Sequence, residues 1–310
     1  MVHTRNSRIW KTRDGGYRTR YGRLIVSSAE DALGARFLHE YKHKIQLIFT
    51  SPPFPLLRKK EYGNFQGQRY REWLASFAEP FRDLLKADGS IVMEVGNAWE
   101  PGKPVMSTLA LEALLDFQKA GGFNLCQQFV CYNPARLPTP AQWVNVKRIR
   151  VKDAYTQVWW MSPSEFPNAD NRRVLKSYSP SMLRLLESKS YNSGRRPSHH
   201  DIGKRSFLRD NNGAIPPNVL TLTNTGSRDL YQTFCRKHQI PIHPARMPPG
   251  LAEFFIKFLT VSRNMVLDPF AGSNTTGSVA EQLKRRWLSI EPQQDYAAGS
   301  IGRFLKAKSS

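Results

Sequence analysis

The sequence predicts an α/β fold in which a mostly parallel sheet carries helices on both faces. Apolar runs of strand length alternate with segments of helix length along most of the chain, as they do in β-α-β units. Several of these runs end abruptly in a proline or glycine turn. Open α/β sheets bind their ligands at such strand ends, so these turns are the first places to look for a site.

The first half of the chain contains the predicted elements up to residue 161. A short apolar run at 24–26 precedes a helix-like segment at 29–39 and a buried strand at 45–49, which two adjacent prolines prevent from continuing. The next elements, predicted from their apolar runs and lengths, are a helix at 70–86, a strand at 91–95 closed by a glycine, a helix at 105–119, and strands at 125–132 and 155–161.

The regular pattern returns near the C-terminus. A helix is predicted at 250–260, and a strand at 264–267 leads into an Asp-Pro-Phe-Ala-Gly turn. A helix that ends near residue 283 follows the turn, and the strand 287–290 ends at Glu291.

Composition indicates a folded protein with a polyanionic partner. The 310 residues include 46 Lys and Arg but only 25 Asp and Glu, which leaves a formal net charge of +21. Hydrophobic residues make up 40% of the chain, too many for a disordered basic tail. Nucleic acid is therefore the first partner to consider, and an acidic membrane surface the second.

Two segments concentrate this charge. Residues 1–23 carry seven Lys and Arg with one acid, which fits a basic arm or a frayed terminus equally well. Residues 172–209 carry ten Lys and Arg with two acids, interspersed with tyrosines and histidines and without sustained periodicity. Interleaved aromatic and basic side chains favour nucleic-acid binding over a solvated insertion.

Several classes of protein are disfavoured by what the sequence lacks. No apolar run reaches the roughly 18 residues of a membrane span, and the N-terminus lacks the apolar core of a secretory signal. The expected location is therefore cytoplasmic. The three cysteines form no Cys-x-x-Cys pair, so neither a disulfide framework nor a metal site is predicted.

Residues 268–291 follow the pattern of a nucleotide half-site: strand, glycine-bearing turn, helix, strand and acid. Asp268 and Glu291 lie 23 positions apart, close to the roughly 20 residues of one β-α-β step. The helix N-terminus offers free N–H groups, and a carboxylate at the next strand end can accept ribose hydroxyls. Because the turn lacks both a GxGxxG pattern and a Walker lysine, a nucleoside without a pyrophosphate is favoured over a dinucleotide or ATP. A tight turn that only packs helix on strand is the alternative.

The segment from Thr50 to Phe54 reads TSPPF and follows the first long strand. The Ser51 hydroxyl and the Pro52 carbonyl can accept hydrogen bonds from an exocyclic amine, while Phe54 can stack on the ring that carries it. Two such acceptors draw the nitrogen lone pair out of ring conjugation and make the nitrogen nucleophilic. Taken alone, the segment would be interpreted as an ordinary proline turn.

Four segments together, TSPPF, HPARMP, DPFAGSNTTG and WLSIEP, resemble the motifs of the amino-methyltransferases of bacterial restriction–modification systems. Their order is that of the permuted group in which the catalytic half precedes the S-adenosylmethionine half, and the resemblance spans residues 24–304. It implies a Rossmann-like methyltransferase sheet and S-adenosylmethionine as cofactor. The Ser-Pro-Pro-Phe form of the motif implies cytosine N4 as the target, whereas Asp-Pro-Pro-Tyr usually marks adenine N6. No cysteine follows a proline, as the nucleophile of the cytosine-C5 methyltransferases does, so C5 methylation is disfavoured.

The resemblance implies roles for individual positions. The catalytic motif is matched by Ser51, Pro52, Pro53 and Phe54. The positions that match cofactor-binding residues are Thr50, His243, Pro244, Asp268, Phe270, Gly272, Ser273, Asn274, Thr275 and Glu291. Where the family carries an acidic pair near the cofactor adenine, the positions here are Ser28 and Glu30.

Two further positions carry structural expectations. Asn274 stands where a second glycine is common and is expected to adopt a left-handed conformation, which asparagine tolerates. The strand at 155–162 occupies the place of one that borders the target-base pocket. Trp159 or Trp160 is a candidate wall residue there, with core packing as the alternative.

The implied organisation has four parts: a basic N-terminal arm at 1–23, a catalytic half at 24–164, an inserted target-recognition region at 165–240 and a cofactor-binding half at 241–310. Within the insertion, the candidates for contacts with guanine edges or phosphates are Arg195, Arg196, Lys204, Arg205 and Arg209.

The expected bacterial enzyme flips a cytosine out of duplex DNA and methylates N4 by direct displacement. It thereby protects the site from a cognate restriction endonuclease, with which it forms no stable complex. The alternatives are adenine-N6 methylation, a catalytically silent DNA-binding protein, and an RNA or protein methyltransferase.

Overall fold

Ten strands form one mixed sheet in the computed structural model, which describes residues 9–54, 67–203, 205, 207–223 and 229–305. The strands are β1 (Trp10–Lys11), β2 (Tyr17–Arg18), β3 (Gly22–Val26), β4 (Ile45–Thr50), β5 (Leu85–Val95), β6 (Asn124–Tyr132), β7 (Tyr155–Ser162), β8 (Val219–Thr221), β9 (Met265–Asp268) and β10 (Arg286–Glu291). Their spatial order is β1-β2-β3-β10-β9-β4-β5-β7-β6-β8.

The centre of the sheet is parallel and its flanks contain antiparallel pairs. The neighbouring strands β3, β10, β9, β4 and β5 all run in the same direction. Strand β7 is antiparallel to both β5 and β6, and β1 and β2 form an antiparallel edge beside β3. The carboxyl ends of the five central strands therefore lie at one edge of the sheet, together with the start of β7 and the end of β6.

Helices cover both faces of this sheet. The α-helices are α1 (Ala29–Ala32), α2 (Ala35–Tyr41), α3 (Gly67–Ala75), α4 (Ala78–Leu84), α5 (Leu109–Ala120), α6 (Pro180–Ser188), α7 (Leu230–Lys237), α8 (Pro249–Leu259), α9 (Thr275–Gln282) and α10 (Gln294–Ser300). Residues of α1–α5 form the core on one face, and residues of α8–α10 form the core on the other. The predicted α/β class is confirmed.

Strand β4 shows how alternation divides the two cores. Its residues Leu47 and Phe49 belong to the core beneath α8, whereas Ile48 belongs to the core beneath α1–α5. All three side chains are fully buried. Each contributes roughly 1.5–3 kcal/mol through removal of apolar surface from water.

Two predicted helices are each divided into two shorter ones. Gly34 separates α1 from α2 within the predicted helix 29–39. Pro80 lies in the first turn of α4, where its missing N–H removes no helical hydrogen bond, so a second helix begins there. The chain then enters β5 at Leu85, where the sequence predicts the helix to continue.

Part of the predicted N-terminal arm belongs to the sheet. Strands β1 and β2 pair with each other, and β2 pairs with β3. The ring of Tyr17 is buried, and its hydroxyl lies 2.7 Å from the Ser300 Oγ. Strands β1 and β2 therefore extend the sheet at its edge, and Tyr17 anchors them to the body of the protein.

Residues 170–217 form a compact unit of their own, which lies inside the predicted target-recognition region. This unit contains a 3-10 helix at Asn171–Val174, helix α6, and a short hairpin that pairs Gly194–Arg195 with Asp201–Ile202. The sheet belongs to the other unit. None of the helices in the described ranges has the length and apolar character needed to cross a bilayer.

Candidate active site

A cavity of about 490 Å³ opens at the sheet edge where the central strands end. Its walls come from the ends of β4, β9 and β10, from the end of β5, and from the segment 243–248. The predicted residues that line it are Ser51, Pro52, Pro53, Phe54, His243, Pro244, Asp268, Phe270, Gly272, Ser273, Thr275 and Glu291. The two halves of the predicted site, more than two hundred positions apart in sequence, thus share one cavity.

Asp268 joins these two halves directly. Its carboxylate accepts a hydrogen bond from the Thr50 hydroxyl at 2.7 Å and another from the Thr276 hydroxyl at 2.6 Å. The backbone N–H of Phe270 also donates to it, at 3.2 Å. Burial nevertheless raises the pKa of Asp268 to about 6, against the lowering effect of these donors. Thr50 is buried behind the cavity wall, and its hydrogen bond helps to hold the Asp268 carboxylate in place.

Glu291 is held by the turn that it faces. Its carboxylate accepts hydrogen bonds from the backbone N–H of Gly272 at 2.7 Å and of Gln293 at 2.9 Å. Burial raises the pKa of Glu291 to about 7. Gly272 has a φ of +51°, and a Cβ there would lie 2.9 Å from the Nε2 of His243. Only glycine fits position 272 without strain.

Asn274 stabilises the glycine turn through hydrogen bonds of its buried side chain. It adopts the predicted left-handed conformation, with φ 54° and ψ 45°, so this expectation is confirmed. Its side chain accepts hydrogen bonds from the Gly277 N–H and the Ser289 hydroxyl and donates to the Tyr17 hydroxyl. Asn274 is fully buried and is not among the described cavity-lining residues.

A partly buried arginine connects two walls of the cavity. Arg303 donates to the carbonyl and hydroxyl oxygens of Ser273 at 2.6 and 2.7 Å. Its guanidinium also lies over the ring of Tyr231, 4.7 Å from the centroid. The Tyr231 hydroxyl in turn accepts the backbone N–H of His243 at 2.8 Å. The glycine turn and the 243–248 segment are therefore fixed relative to each other.

The Ser-Pro-Pro-Phe turn forms the opposite wall. Its aromatic residue, Phe54, packs against Gly96, which follows β5. A Cβ at position 96 would lie 2.6 Å from the Cδ2 and Cε2 atoms of the Phe54 ring. The absence of a side chain at position 96 thus allows Phe54 to occupy this place.

Glu94 is a cavity residue that the sequence analysis missed. It lies near the end of β5, is only 6% exposed, and accepts a hydrogen bond from the Thr156 hydroxyl at 2.8 Å. Burial raises the pKa of Glu94, and hydrogen bonds from Thr156 and Ser51 oppose this rise. The sequence did offer one signal, a single acid in the apolar run IVMEV. Burial of an unpaired carboxylate is unfavourable, so an acid in a buried strand indicates polar partners and a candidate site.

Other residues that the sequence did not predict line the same cavity. Those with polar or aromatic groups are Cys131, Asn133, Arg136, Thr156, Arg246 and Tyr296. Cys131 lies on β6 and Thr156 on β7, and the antiparallel register of these strands pairs the two residues. Asn133, Arg136 and Arg246 lie in loops, and Tyr296 lies on α10.

Two predicted cofactor residues lie elsewhere. The Ser28 hydroxyl caps α1, where it accepts the Asp31 N–H at 3.1 Å. The Glu30 carboxylate accepts the indole N–H of Trp73 at 2.6 Å. Among the described residues that line the cavity, neither Ser28 nor Glu30 occurs.

The two tryptophans of β7 are core residues. Trp159 packs in the core beneath α1–α5, and Trp160 in the core beneath α8. Adjacent residues of a strand point to opposite faces, so both rings are drawn away from the sheet edge. Neither lines the cavity in the described part of the chain, so the expectation of a wall residue is wrong and core packing is the correct interpretation.

The predicted DNA-contacting arginines lie in the unit 170–217. Arg195, Arg205 and Arg209 are exposed, and Arg196 is partly exposed. Arg195 lies 3.0 Å from the His199 ring nitrogen, and Arg196 donates to the Asn192 carbonyl at 2.7 Å. Lys204 lies outside the described residues.

On one side of the cavity, the carboxylates of Asp268 and Glu291 suit a nucleoside, and on the other side Ser51 offers an acceptor for an amine. This arrangement, at the edge of a Rossmann-like sheet, is that of a methyltransferase. Residues 45–301 match the sequence profile of the DNA methylase family of N6 and N4 methyltransferases. The chain belongs to this family, which confirms the resemblance described above.

Individual relatives support the same conclusion. The Type II methyltransferase M.PvuII of Proteus hauseri is 47% identical over 263 residues, which cover 84% of this chain and 78% of that protein. The solved structure of the PvuII DNA methyltransferase, described as cytosine-N4-specific, matches with a TM-score of 0.73 at 37% identity and covers 94% of this chain and 88% of that chain. The structure of the M1.HpyAVI–SAM complex matches with a TM-score of 0.53 at 18% identity, over 90% of this chain and 97% of that chain, and shows the fold alone.

Proposed function

We propose that this chain transfers a methyl group from S-adenosylmethionine to N4 of a cytosine flipped out of duplex DNA. The observation that carries the proposal is that the Ser51–Phe54 turn and the carboxylates of Asp268 and Glu291 line one cavity. Similarity to the cytosine-N4-specific PvuII enzyme supports cytosine as the target. The proposed role is protection of bacterial DNA, in the cytoplasm, from a cognate endonuclease that forms no stable complex with the methyltransferase.

The residues on one side of the cavity fit the proposed cofactor. Each Glu291 oxygen accepts one backbone N–H and retains acceptor capacity for a ribose hydroxyl. The cavity volume of about 490 Å³ lies within the range of roughly 300–1,000 Å³ found for ligand sites. Phe270 provides an apolar surface for an adenine ring, and Ser273 and Thr275 supply polar groups. When bound, S-adenosylmethionine supplies a methyl group that its sulfonium already activates.

Ser51 prepares the amine for attack. Its hydroxyl is hydrogen bonded to the buried Glu94, which leaves the oxygen lone pairs available to accept an N–H of the target amine. The Pro52 carbonyl is the second acceptor in the proposed cradle. As the amine nitrogen forms its new bond, it becomes acidic and gives one proton to the Ser51 oxygen. The Ser51 hydroxyl proton passes to the Glu94 carboxylate.

Other wall residues orient the base. Phe54 offers a ring face for stacking, which offsets part of the few kcal/mol needed to extrude a base. Arg136 also lines the cavity, and its guanidinium can only donate hydrogen bonds. Cytosine presents the O2 acceptor on its pairing edge, where adenine has a C–H group. This difference favours cytosine.

The unit 170–217 is the proposed DNA reader, as part of the target-recognition region 165–240. Its exposed arginines provide guanidinium groups for guanine edges and phosphates. A contribution from phosphate contacts predicts that affinity for DNA falls as salt concentration rises.

Product analysis tests this function. Plasmid DNA is incubated with the protein and labelled S-adenosylmethionine, then digested to nucleosides. We expect N4-methylcytosine as the product, and a loss of about 100-fold or more in rate for Ser51→Ala. The exposed Ser262 provides a matched control, because Ser262→Ala leaves the cavity unchanged. N6-methyladenine as the product, or full activity of Ser51→Ala, would contradict the proposal.

A further inference from the structure

The loop between β6 and β7, residues 133–154, has surface properties that the proposed catalytic function does not explain. We call it the β6–β7 loop. It contains five Lys and Arg but one acid. Four of its aliphatic side chains are largely exposed: Leu137 at 76%, Val146 at 68%, Ile149 at 60% and Val151 at 86%. A basic segment with several exposed aliphatic residues is typical of a surface that binds a partner.

The loop is anchored beside the cavity. Its residues Asn133 and Arg136 line the cavity wall. The Asn133 N–H donates to the Ala154 carbonyl at 2.8 Å, which closes the base of the loop. The Arg136 guanidinium donates to the Tyr155 carbonyl at 3.2 Å. The exposed residues therefore begin directly at the place where a target base would enter.

Contacts in the second half of the loop fix it to the rest of the protein. The Arg150 guanidinium lies 3.3 Å from the centroid of the Trp99 ring and donates to the Pro104 carbonyl. The Asp153 carboxylate accepts the side-chain N–H of Asn97 at 2.8 Å. These contacts thus hold the loop in a conformation that exposes apolar side chains to water. This exposure is unfavourable in free energy, and burial of the side chains against a partner would remove the penalty.

We propose that the β6–β7 loop enters the DNA beside the target cytosine, with Leu137 filling the space that the flipped base leaves. This inference rests on the proposed function. Leu137 follows Arg136 directly and is the exposed aliphatic residue nearest in sequence to the cavity wall. An inserted aliphatic side chain restores contacts to the unstacked neighbouring bases.

Charge complementarity identifies DNA as the occupant. Lys147 and Arg148 are exposed on the same loop and carry the charge needed for phosphates on either side of the gap. A protein partner would have to be acidic and apolar at once, and it would compete with DNA for the mouth of the cavity. Duplex DNA is already the proposed substrate, and its target base enters the cavity beside this loop, so no additional partner is needed.

The test compares Leu137→Ala with wild type on two duplexes that carry the methylation site, which is first mapped by sequencing DNA modified by the wild type. In one duplex the target cytosine is paired with guanine, and in the other it faces a base with which it cannot pair. A mismatch lowers the cost of flipping, so it removes the need for an inserted side chain. The control is Leu115→Ala, since Leu115 is also exposed, at 44%, but lies on α5.

Single-turnover rates distinguish the outcomes. We expect Leu137→Ala to react about tenfold more slowly than wild type on the paired duplex and within about twofold of wild type on the mismatched one. Leu115→Ala should match wild type on both. Equal rates for wild type and Leu137→Ala on the paired duplex, or equal slowing on both duplexes, overturn the role of Leu137 while the methyltransferase function stands. No cytosine methylation by wild type on either duplex overturns both.

Discussion

Replacement of Glu94 by glutamine tests whether a negative charge behind Ser51 contributes to catalysis. Glu94 is 6% exposed, and its carboxylate accepts hydrogen bonds from the Thr156 and Ser51 hydroxyls. Glutamine keeps the shape and one acceptor oxygen but removes the charge. A hydrogen bond to a charged group contributes about 1.5–3 kcal/mol, against about 0.5–1.5 kcal/mol for a neutral one. A loss of about 1–1.5 kcal/mol in the transition state corresponds to a roughly tenfold lower kcat. Because glutamine also cannot accept the Ser51 proton, we expect kcat to fall by about tenfold or more.

Single-turnover methyl transfer to duplex DNA over a range of pH is the appropriate assay. In the wild type the rate should fall at low pH as Glu94 takes up a proton, and because burial raises its pKa this decrease lies above the ordinary value of 4.5. At saturating cofactor, where protonation of Glu291 does not limit the rate, the Glu94→Gln variant should lack this decrease. Its affinity for the cofactor should stay within about twofold of wild type, because Asp268 and Glu291 are unchanged.

Thermal unfolding separates this effect from damage to the fold. The folded state holds the Glu94 proton more tightly than the unfolded state, so ionisation of this group lowers the free energy of unfolding as pH rises between the two pKa values. Glutamine removes this cost, and the variant should melt no lower than wild type at pH above this interval. A wild-type rate with an unchanged pH profile, or a slow variant that is also unstable, would contradict a catalytic role for the Glu94 charge.

Three further predictions concern the cavity walls. Gly96→Ala places a methyl group 2.6 Å from the Phe54 ring, so we expect kcat to fall about tenfold with unchanged cofactor affinity, measured by calorimetry. Glu291 has a pKa raised to about 7, and hydrogen bonds from ribose hydroxyls favour its ionised form. Cofactor affinity should therefore weaken as pH falls below about 7. The Glu291→Gln variant should bind the cofactor weakly at every pH. The same raised pKa means that ionisation of Glu291 lowers the free energy of unfolding as pH rises from 4.5 toward 7. Tyr231→Phe removes the acceptor of the His243 N–H, which should weaken cofactor binding roughly fivefold, for a loss of about 1 kcal/mol, without changing the cytosine specificity.

The positions of the main functional segments could be predicted because parallel strands end at a common edge. Ser51, Asp268 and Glu291 each follow or end an apolar run of the central sheet. Once those runs are assigned to one sheet, the residues after them must meet, whatever their separation in sequence. The left-handed Asn274 could be predicted for a local reason, since few residues other than glycine tolerate that conformation.

The residues that were missed depend on tertiary register. Glu94 is a single acid in an apolar strand, and its partner Thr156 comes from β7, which runs antiparallel to β5. No local pattern gives that pairing. The tryptophans Trp159 and Trp160 show the reverse error, because their proximity in sequence to the cavity concealed that alternation points them into opposite cores.

The most direct test of the proposed catalytic site is a crystal structure of the protein with a duplex that carries the mapped site and an unreactive analogue of S-adenosylmethionine. We expect a flipped cytosine with its N4 within about 3.2 Å of the Ser51 Oγ and its ring against Phe54. A target base that is an adenine, or a flipped cytosine whose N4 lies out of hydrogen-bond reach of Ser51, would contradict it.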